Sequence, residues 1–376
     1  MEALSGSPGA YDLIVVGGGP AGAAAAITAA RHGFAVLLLE RGQFPRQKVC
    51  GEFVSAESLA LLESLLPEAT DGLLGKAPRI GHGRLFVDGH VIRTSIDPAA
   101  VSISRFDLDH ALWQAALQAG VDARLQTWVR AIEGRGPFRV STSSGPFEGL
   151  TVLNATGRWS NLSRGGEPFD AEGNKWLGVK AHFGEEQPAP SVDLYFFEGG
   201  YCGVQPAWLF AEDEAAGSSR VNVCAMVRAD VASSLPEVFA KHPALLARRG
   251  HWQPLMEPVS TSPLIFREPQ PMREGAFQAG DAAGFVDPFV GDGISLALRS
   301  GAAAAQHIVS FLRGEVSREA AEARYAETYR RTLLPVFRNS ARLRRLFRLP
   351  RVVRGPIAHV LEQVPSLANY LVRSTR

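Results

Sequence analysis

The chain has 376 residues, 46% hydrophobic and 20% charged, with a formal net charge of +1. That length suits two or three domains with a sizeable core, and the near-neutral balance excludes a bulk electrostatic pull toward nucleic acid. Three cysteines (Cys50, Cys202, Cys224) make no disulfide framework, and no leader or run of ~18 apolar residues is seen, so a cytoplasmic protein is expected.

In chain order, the first element is an apolar run of strand length, Leu13 to Val16, ending at the glycine turn Gly17-x-Gly19-x-x-Gly22. A helical segment from about Pro20 to His32 follows, then a second apolar run, Ala35 to Leu39, ending on Glu40. Strand, glycine turn, helix, strand and acid at this spacing predict a dinucleotide-binding βαβ unit. Gly17 allows the tight turn, Gly19 lets backbone approach a pyrophosphate, and Gly22 lets helix and strand pack closely. The helix N-terminus offers free N–H groups to that pyrophosphate, and Glu40 can accept from the ribose hydroxyls.

The stretch Gly42 to Phe53 reads as a loop, with Arg46 and Lys48 placed to reach an anionic cofactor and Cys50-Gly51 setting a small side chain beside bare backbone. A helix opens near Ser55. Residues 78 to 97 alternate around an Asp88-Gly89 hairpin turn, and Ser104-Arg105-Phe106-Asp107 starts a helix to about Ala119 with an apolar stripe. A strand from Gln126 to Ile132, a hairpin near Phe138 to Phe147, and an apolar strand leading into Thr156-Gly157-Arg158-Trp159-Ser160 come next. Residues 166 to 270 hold short alternating runs separated by Pro and Gly, which predict an antiparallel sheet. Its aromatic stripe, Tyr195, Phe196, Phe197, Trp208 and Phe210, reads as core that in part lines a pocket for a greasy substrate. Near Gly275 a short strand runs into Gly280-Asp281, then Pro288 and Gly291-Asp292-Gly293, and an apolar helix spans Ile294 to Leu312. The remainder is helical by composition, with Pro335, Pro350, Pro356 and Pro365 as breaks. His182, His242 and His251 lack metal-ligand spacing, so no metal is assigned.

From Phe311 onward there are 14 Lys+Arg against 5 Asp+Glu. Leu333, Phe337, Leu343, Leu346 and Phe347 interleave with Arg338, Arg342, Arg344, Arg345 and Arg348. Two readings stand: a basic amphipathic helix touching an anionic membrane surface, or a helix packed on the acidic body with its arginines in water. The run has no aromatic stacking pattern, so nucleic acid is not an expected partner.

GGGPAG with Glu40-Arg41, the KVCGE loop, the Ser-Arg-Phe-Asp helix start and the AGDAAGFVDPFVGDGISLALRSG block together resemble FAD-dependent oxidoreductases of the para-hydroxybenzoate hydroxylase fold. The cysteine loop and GYCGVQP look most like the geranylgeranyl-reductase-related branch, which also holds FAD-dependent monooxygenases. The resemblance implies an α/β chain, α+β overall: a Rossmann-like FAD-binding domain (1–82, 99–165 and 271–315), a mixed antiparallel substrate-domain sheet (83–98 and 166–270) and C-terminal helices (316–376). It implies that Gly19, Pro20 and Ala21 hold the pyrophosphate, Glu40 and Arg41 take the adenosine side, and Arg105 faces the phosphate or ribityl region. Asp281 would bind the ribitol, and Gly291 to Ile294 would lie under the flavin pyrimidine edge, with Gly280, Pro288 and Asp292 in the same block. A helix starting there aims its positive end where charge develops on reduction, worth ~0.3–1 kcal/mol exposed and up to ~2 partly buried.

One departure is Thr156-Gly157, where the family often has Asp-Gly linked to nicotinamide interactions. The electron donor is therefore expected to be NAD(P)H or a partner flavin reductase. The expected activity is a monooxygenase that hydroxylates or epoxidises a hydrophobic aromatic, polyketide or isoprenoid molecule through a flavin C4a-hydroperoxide. The alternative is a flavin-dependent C=C reductase of the geranylgeranyl-reductase type, with Cys50 or Tyr201 as proton donor.

Overall fold

A computed structural model describes residues 10–158, 162, 175–208, 219–264, 266, 268–286, 289, 291–347 and 349–373. Trp159, Ser160, Phe210 and Pro288 lie outside the described residues. The first strand, Ala10–Val16, is central to an eight-stranded sheet, flanked in parallel by Val36–Leu39 and Gly145–Asn154. Asp122–Arg124 extends one side and Ala276–Gln278 the other, both parallel. The alternation of side chains puts Leu13 and Val15 on one face and Ile14 and Val16 on the other. The Leu13 face buries the helices Pro20–Arg31 and Gly293–Leu312, and the Ile14 face packs on Phe138, Val140 and Val152. The two helices meet closely because Gly301 has no side chain; a Cβ there would stand 2.0 Å from the Ala21 carbonyl oxygen.

The second sheet has nine strands, antiparallel except where Ser191–Phe197 runs parallel to Arg79–Val87. Its first strands come early: Phe53–Val54, at the end of the stretch expected to be loop, and Arg79–Val87 with His90–Ser102, joined at Asp88-Gly89. The others are Trp176–Gly184, Ser191–Phe197, Gly200–Ala207, Arg220–Arg228 and two short pieces. The stretch expected to be sheet alone also contains two helices, Leu235–Phe239 and Pro243–Arg249. Both start on Pro at the first or second position, where its missing N–H costs nothing. They cover one face of the sheet, burying Val179, Val204, Val223 and Ala225.

The strand expected over Gln126 to Ile132 runs instead over Val129–Gly134; Gln126 has φ +53, outside the strand range. Four helices follow the long one: Arg318–Thr332, Leu334–Phe347, Arg351–Gln363 and Pro365–Arg373. Pro350 and Pro365 mark starts as expected, but Pro356 lies inside a helix and does not break it. It is the sixth residue, so the carbonyls its missing donor leaves free sit near the exposed first turn. Leu333 and Phe337 are buried in the main core, while Arg338, Arg342 and Arg345 are exposed. Arg344 lies over the Phe266 ring, 4.1 Å from its centroid. No helix among the described residues is long and apolar enough to cross a membrane.

Candidate functional site

The glycine turn is shaped as its spacing predicts. Gly17 has φ +108, and a Cβ on it would stand 2.3 Å from the Ala155 carbonyl oxygen; a Cβ on Gly22 would stand 1.9 Å from that of Gly17. Gly19 differs, because a Cβ there would meet only Arg105 Nη2, at 3.9 Å. The turn therefore leaves backbone bare toward a groove, above Pro20 and Ala21 and the unpaired N–H groups of the first helical turn.

Cations line that groove. Lys48 is largely buried, and burial, with Arg46 and Arg105 beside it, lowers its pKa to about 8. Arg105 opens the helix Arg105–Gln118, whose N-cap Ser104 accepts from Asp107 N. Its Nε and Nη2 are held by Asp109 at 2.6 and 2.7 Å, which fixes the guanidinium against Gly19. Asp281 lies in the same groove: burial raises its pKa, against the pull of Arg158, Arg105 and Lys48. Its carboxylate is 3.7 Å from Arg158 and remains 34% exposed. Gly280 donates its N–H to Ser300 Oγ, which anchors the turn to the long helix. Two cations, Lys48 and Arg105, beside bare backbone, with a carboxylate farther along, match a dinucleotide: diphosphate at one place and polyhydroxy chain at the next.

Glu40 is only 5% exposed. Its oxygens accept from Gly18 N at 2.9 Å, Gly42 N at 2.8 Å and Arg46 Nη1 at 2.8 Å. Burial opposes its ionisation, but Arg46 and the two backbone donors outweigh it and hold the pKa below the usual carboxylate range. Arg46 thus faces Glu40 directly, whereas the sequence placed it toward the cofactor. A carboxylate accepts about four hydrogen bonds, so room for a ribose hydroxyl remains. Arg41 is exposed.

Gly291 (φ +79) packs under the Phe53 ring, and Asp292 precedes the helix Gly293–Leu312, whose first residues are Gly293 and buried Ile294. Beside them opens an apolar cavity of about 1150 Å³ including its mouth. Gly51, Phe53 and Gly291 form one end, and Tyr201, Gln205, Thr94 and Cys224 supply polar atoms. Leu85, Ile92 and Leu194 line its sheet side, and Leu343, Leu346 and Leu361 its helical side. Of the expected proton donors, Tyr201 lines the cavity, whereas Cys50 adjoins it through Gly51. Cys50 Sγ accepts from Glu52 N at 3.3 Å, and burial raises its pKa, so the thiol keeps its proton at neutral pH.

The aromatic stripe is not the lining. Tyr195 and Phe197 project from the opposite face of their strand, where Tyr195 stacks on Phe86 at 4.4 Å; Phe196 packs against Tyr201, and Trp208 is 38% exposed. Alternation gives the cavity Val192 and Leu194 instead.

Beneath Cys50 is a buried polar cluster that composition does not reveal. Lys180 Nζ bonds Glu52 Oε1 and lies 2.9 Å from Gln47 Oε1, and His182 Nε2 lies 2.8 Å from Glu52 Oε2; Glu52, Lys180 and His182 are at most 1% exposed. Asn222 Nδ2 donates to the Cys50 carbonyl at 3.0 Å. Burial would raise the Glu52 pKa, but Lys180 and His182 bring it down to about 2. The cluster thus ties the loop carrying Cys50 to the second sheet.

A family model described as FAD dependent oxidoreductase matches residues 12–51. The menaquinone reductase of Mycolicibacterium smegmatis is 28% identical over 331 residues, 80% of this chain and 76% of that protein. Among solved structures, the flavin-dependent brominase Bmp2 superposes with a TM-score of 0.78 at 18% identity, covering 97% of this chain and 93% of the other. A geranylgeranyl bacteriochlorophyll reductase-like protein from Thermoplasma acidophilum gives 0.73 at 18% identity, covering 98% and 96%.

Proposed function

We propose that this chain, which matches the FAD dependent oxidoreductase model over residues 12–51 and shares the fold of the brominase and the reductase-like structure, is an FAD-dependent oxidoreductase that reduces a carbon–carbon double bond in an elongated hydrophobic molecule. The observation that carries this reading is the position of the Cys50 thiol, adjoining through Gly51 the part of the cavity lined by Phe53 and Gly291; burial, which raises its pKa, favours the protonated form. Bound FAD, once reduced, supplies the hydride. Arg105, Lys48 and the Gly19 backbone hold its diphosphate, and Asp281 its ribityl hydroxyls. The cavity walls exclude water and lay the substrate along the sheet. Cys50, or Tyr201 across the cavity, hands a proton to the second carbon, so that one hydride and one proton add across the double bond.

Oxygen insertion is the second reading. The same dry cavity suits it, because that chemistry asks the protein mainly for placement and water exclusion. Anaerobic turnover of the reduced enzyme with a polyprenyl substrate separates the two. Product carrying two added hydrogens supports reduction; product only with oxygen present, carrying one oxygen atom from it, overturns that reading. Bleaching of the flavin by NADH or NADPH alone would identify the donor, and its failure would leave a partner flavin reductase. Cys50→Ser and Tyr201→Phe are each expected to lower kcat by ~10²–10⁴-fold if that residue is the donor. Full activity in both removes the role.

Lys48 gives a pH dependence with a definite sign. Its pKa is depressed from 10.5 to about 8 in the free protein, so between those values the unfolded chain holds the proton more tightly. The FAD-free protein therefore gains stability from this group as pH rises through that window. FAD binding behaves oppositely: the diphosphate favours charged Lys48, binding takes up a proton, and affinity falls as pH climbs past 8. The expected loss is roughly tenfold for each pKa unit that the phosphates restore. Fluorescence titration from pH 7 to 9.5 measures it, and Lys48→Met should flatten the profile.

A further inference from the structure

The helical wall of the cavity is fastened at one hairpin turn. Asp88 accepts from Arg354 Nε and Nη2 at 2.6 and 2.8 Å, and farther along the strand Ser95 N donates to Asn369 Oδ1 at 2.9 Å. Between these contacts, His90 Nδ1 lies 2.7 Å from one oxygen of Glu362, whose other oxygen accepts Val91 N at 3.0 Å. His359 stands one helical turn before Glu362, with its ring centroid 5.4 Å from that of His90. One ligand atom from each of the three side chains lies within 4.8 Å of the other two.

We propose that His90, His359 and Glu362 bind a divalent transition-metal ion of the zinc type, which clamps the helix Arg351–Gln363 onto the hairpin. Two imidazoles and one carboxylate form the mixed nitrogen–oxygen set that suits zinc, cobalt or nickel, while calcium and magnesium favour all-oxygen sets. Tetrahedral bonds of ~2.0–2.1 Å place ligand atoms about 3.4 Å apart, so closure from the present spacing needs mainly a turn of exposed His359. The other two ligands are already oriented, His90 by its place in the strand and Glu362 by the Val91 N–H, as outer-shell donors orient metal ligands. The ion replaces the proton between His90 and Glu362, and a water completes the site. His359 and Glu362 lie three apart on one helix face, and the same helix carries Leu361 into the cavity. The clamp therefore bears directly on the substrate wall. Sequence spacing gave no sign of it, because the third ligand comes from a distant hairpin.

The test uses the untagged full chain, stripped with a chelator and titrated with zinc chloride at pH 7.5 against a chromophoric competitor. One equivalent is expected to bind, and magnesium or calcium none. His359→Ala, an exposed change that leaves the fold alone, should weaken zinc by at least the ~10–100-fold that lesser outer-shell changes cost. Amide exchange across residues 351–363 should slow on zinc addition in the parent chain and not in the variant. Three results overturn the proposal: no zinc bound at 100 µM, equal binding by His359→Ala, or unchanged exchange in the zinc-saturated parent.

Discussion

Lys180→Met is expected to destabilise the protein by ~3–5 kcal/mol, the range found when one partner of a buried ion pair is removed. Lys180, Glu52 and His182 are at most 1% exposed, so solvent cannot replace the lost partner. Among the described residues, Glu52 would keep His182 and the Arg105 N–H, at 3.2 Å, as partners. It would then have either to hold an undercompensated charge or to take up a proton. Urea unfolding at pH 7 measures the loss, and the Glu52→Gln, Lys180→Met double variant should recover part of it, since the stranded charge is gone. The pH dependence gives an independent check. In the parent the Glu52 pKa is depressed from 4.5 to about 2, so its contribution is complete above 4.5 and is lost as pH falls toward 2. In Lys180→Met the depression is relieved, so this acid loss should shrink, and it should reverse once the folded pKa of Glu52 exceeds 4.5. Gln47 and Glu52 bracket Cys50, so the variant is also expected to weaken flavin binding through a loosened loop. A variant as stable as the parent, with an unchanged acid profile, would mean that the cluster contributes nothing to holding the loop.

The parts of this molecule legible in the sequence are those whose partners are neighbours in the chain. Strand, Gly17 turn, helix and Glu40 lie within one βαβ unit, so spacing alone carries the geometry. Asp281 and Gly291 were legible for the same reason, as a turn and a helix start. Glu52 was not. A glutamate after Cys50-Gly51 reads as a loop charge until the sheet brings Lys180 and His182 over it, and nothing local encodes that register. The cavity lining escaped for a different reason. Alternation in Ser191–Phe197 says that two faces differ, but both faces of this sheet are covered, one by two short helices and the other by the tail. Apolar side chains therefore occur on both, and Tyr195 and Phe197 went to the solid core. The tail pattern likewise marked an apolar stripe at Leu343 and Leu346 without saying that it roofs a cavity.

Gly19→Val is expected to leave the fold intact and to weaken FAD binding by at least ~100-fold, about 3 kcal/mol. Gly19 has φ −75 and ψ −176, extended backbone that valine adopts without strain. A Cβ there meets nothing closer than Arg105 Nη2 at 3.9 Å. As N-cap it makes no side-chain hydrogen bond, so the helix start loses on the order of 1 kcal/mol at most. The added methyls would fill the space where diphosphate oxygens approach the backbone. Gly22→Val looks similar in the sequence and should behave oppositely. Its Cβ would lie 1.9 Å from the Gly17 carbonyl oxygen, forcing the helix off the central strand, and the expected result is insoluble or grossly destabilised protein. Thermal melts of the FAD-free forms with a flavin fluorescence titration separate the two effects. Parent-like affinity in a folded Gly19→Val protein would place the diphosphate elsewhere and remove the basis for reading Arg105, Lys48 and Asp281 as one groove.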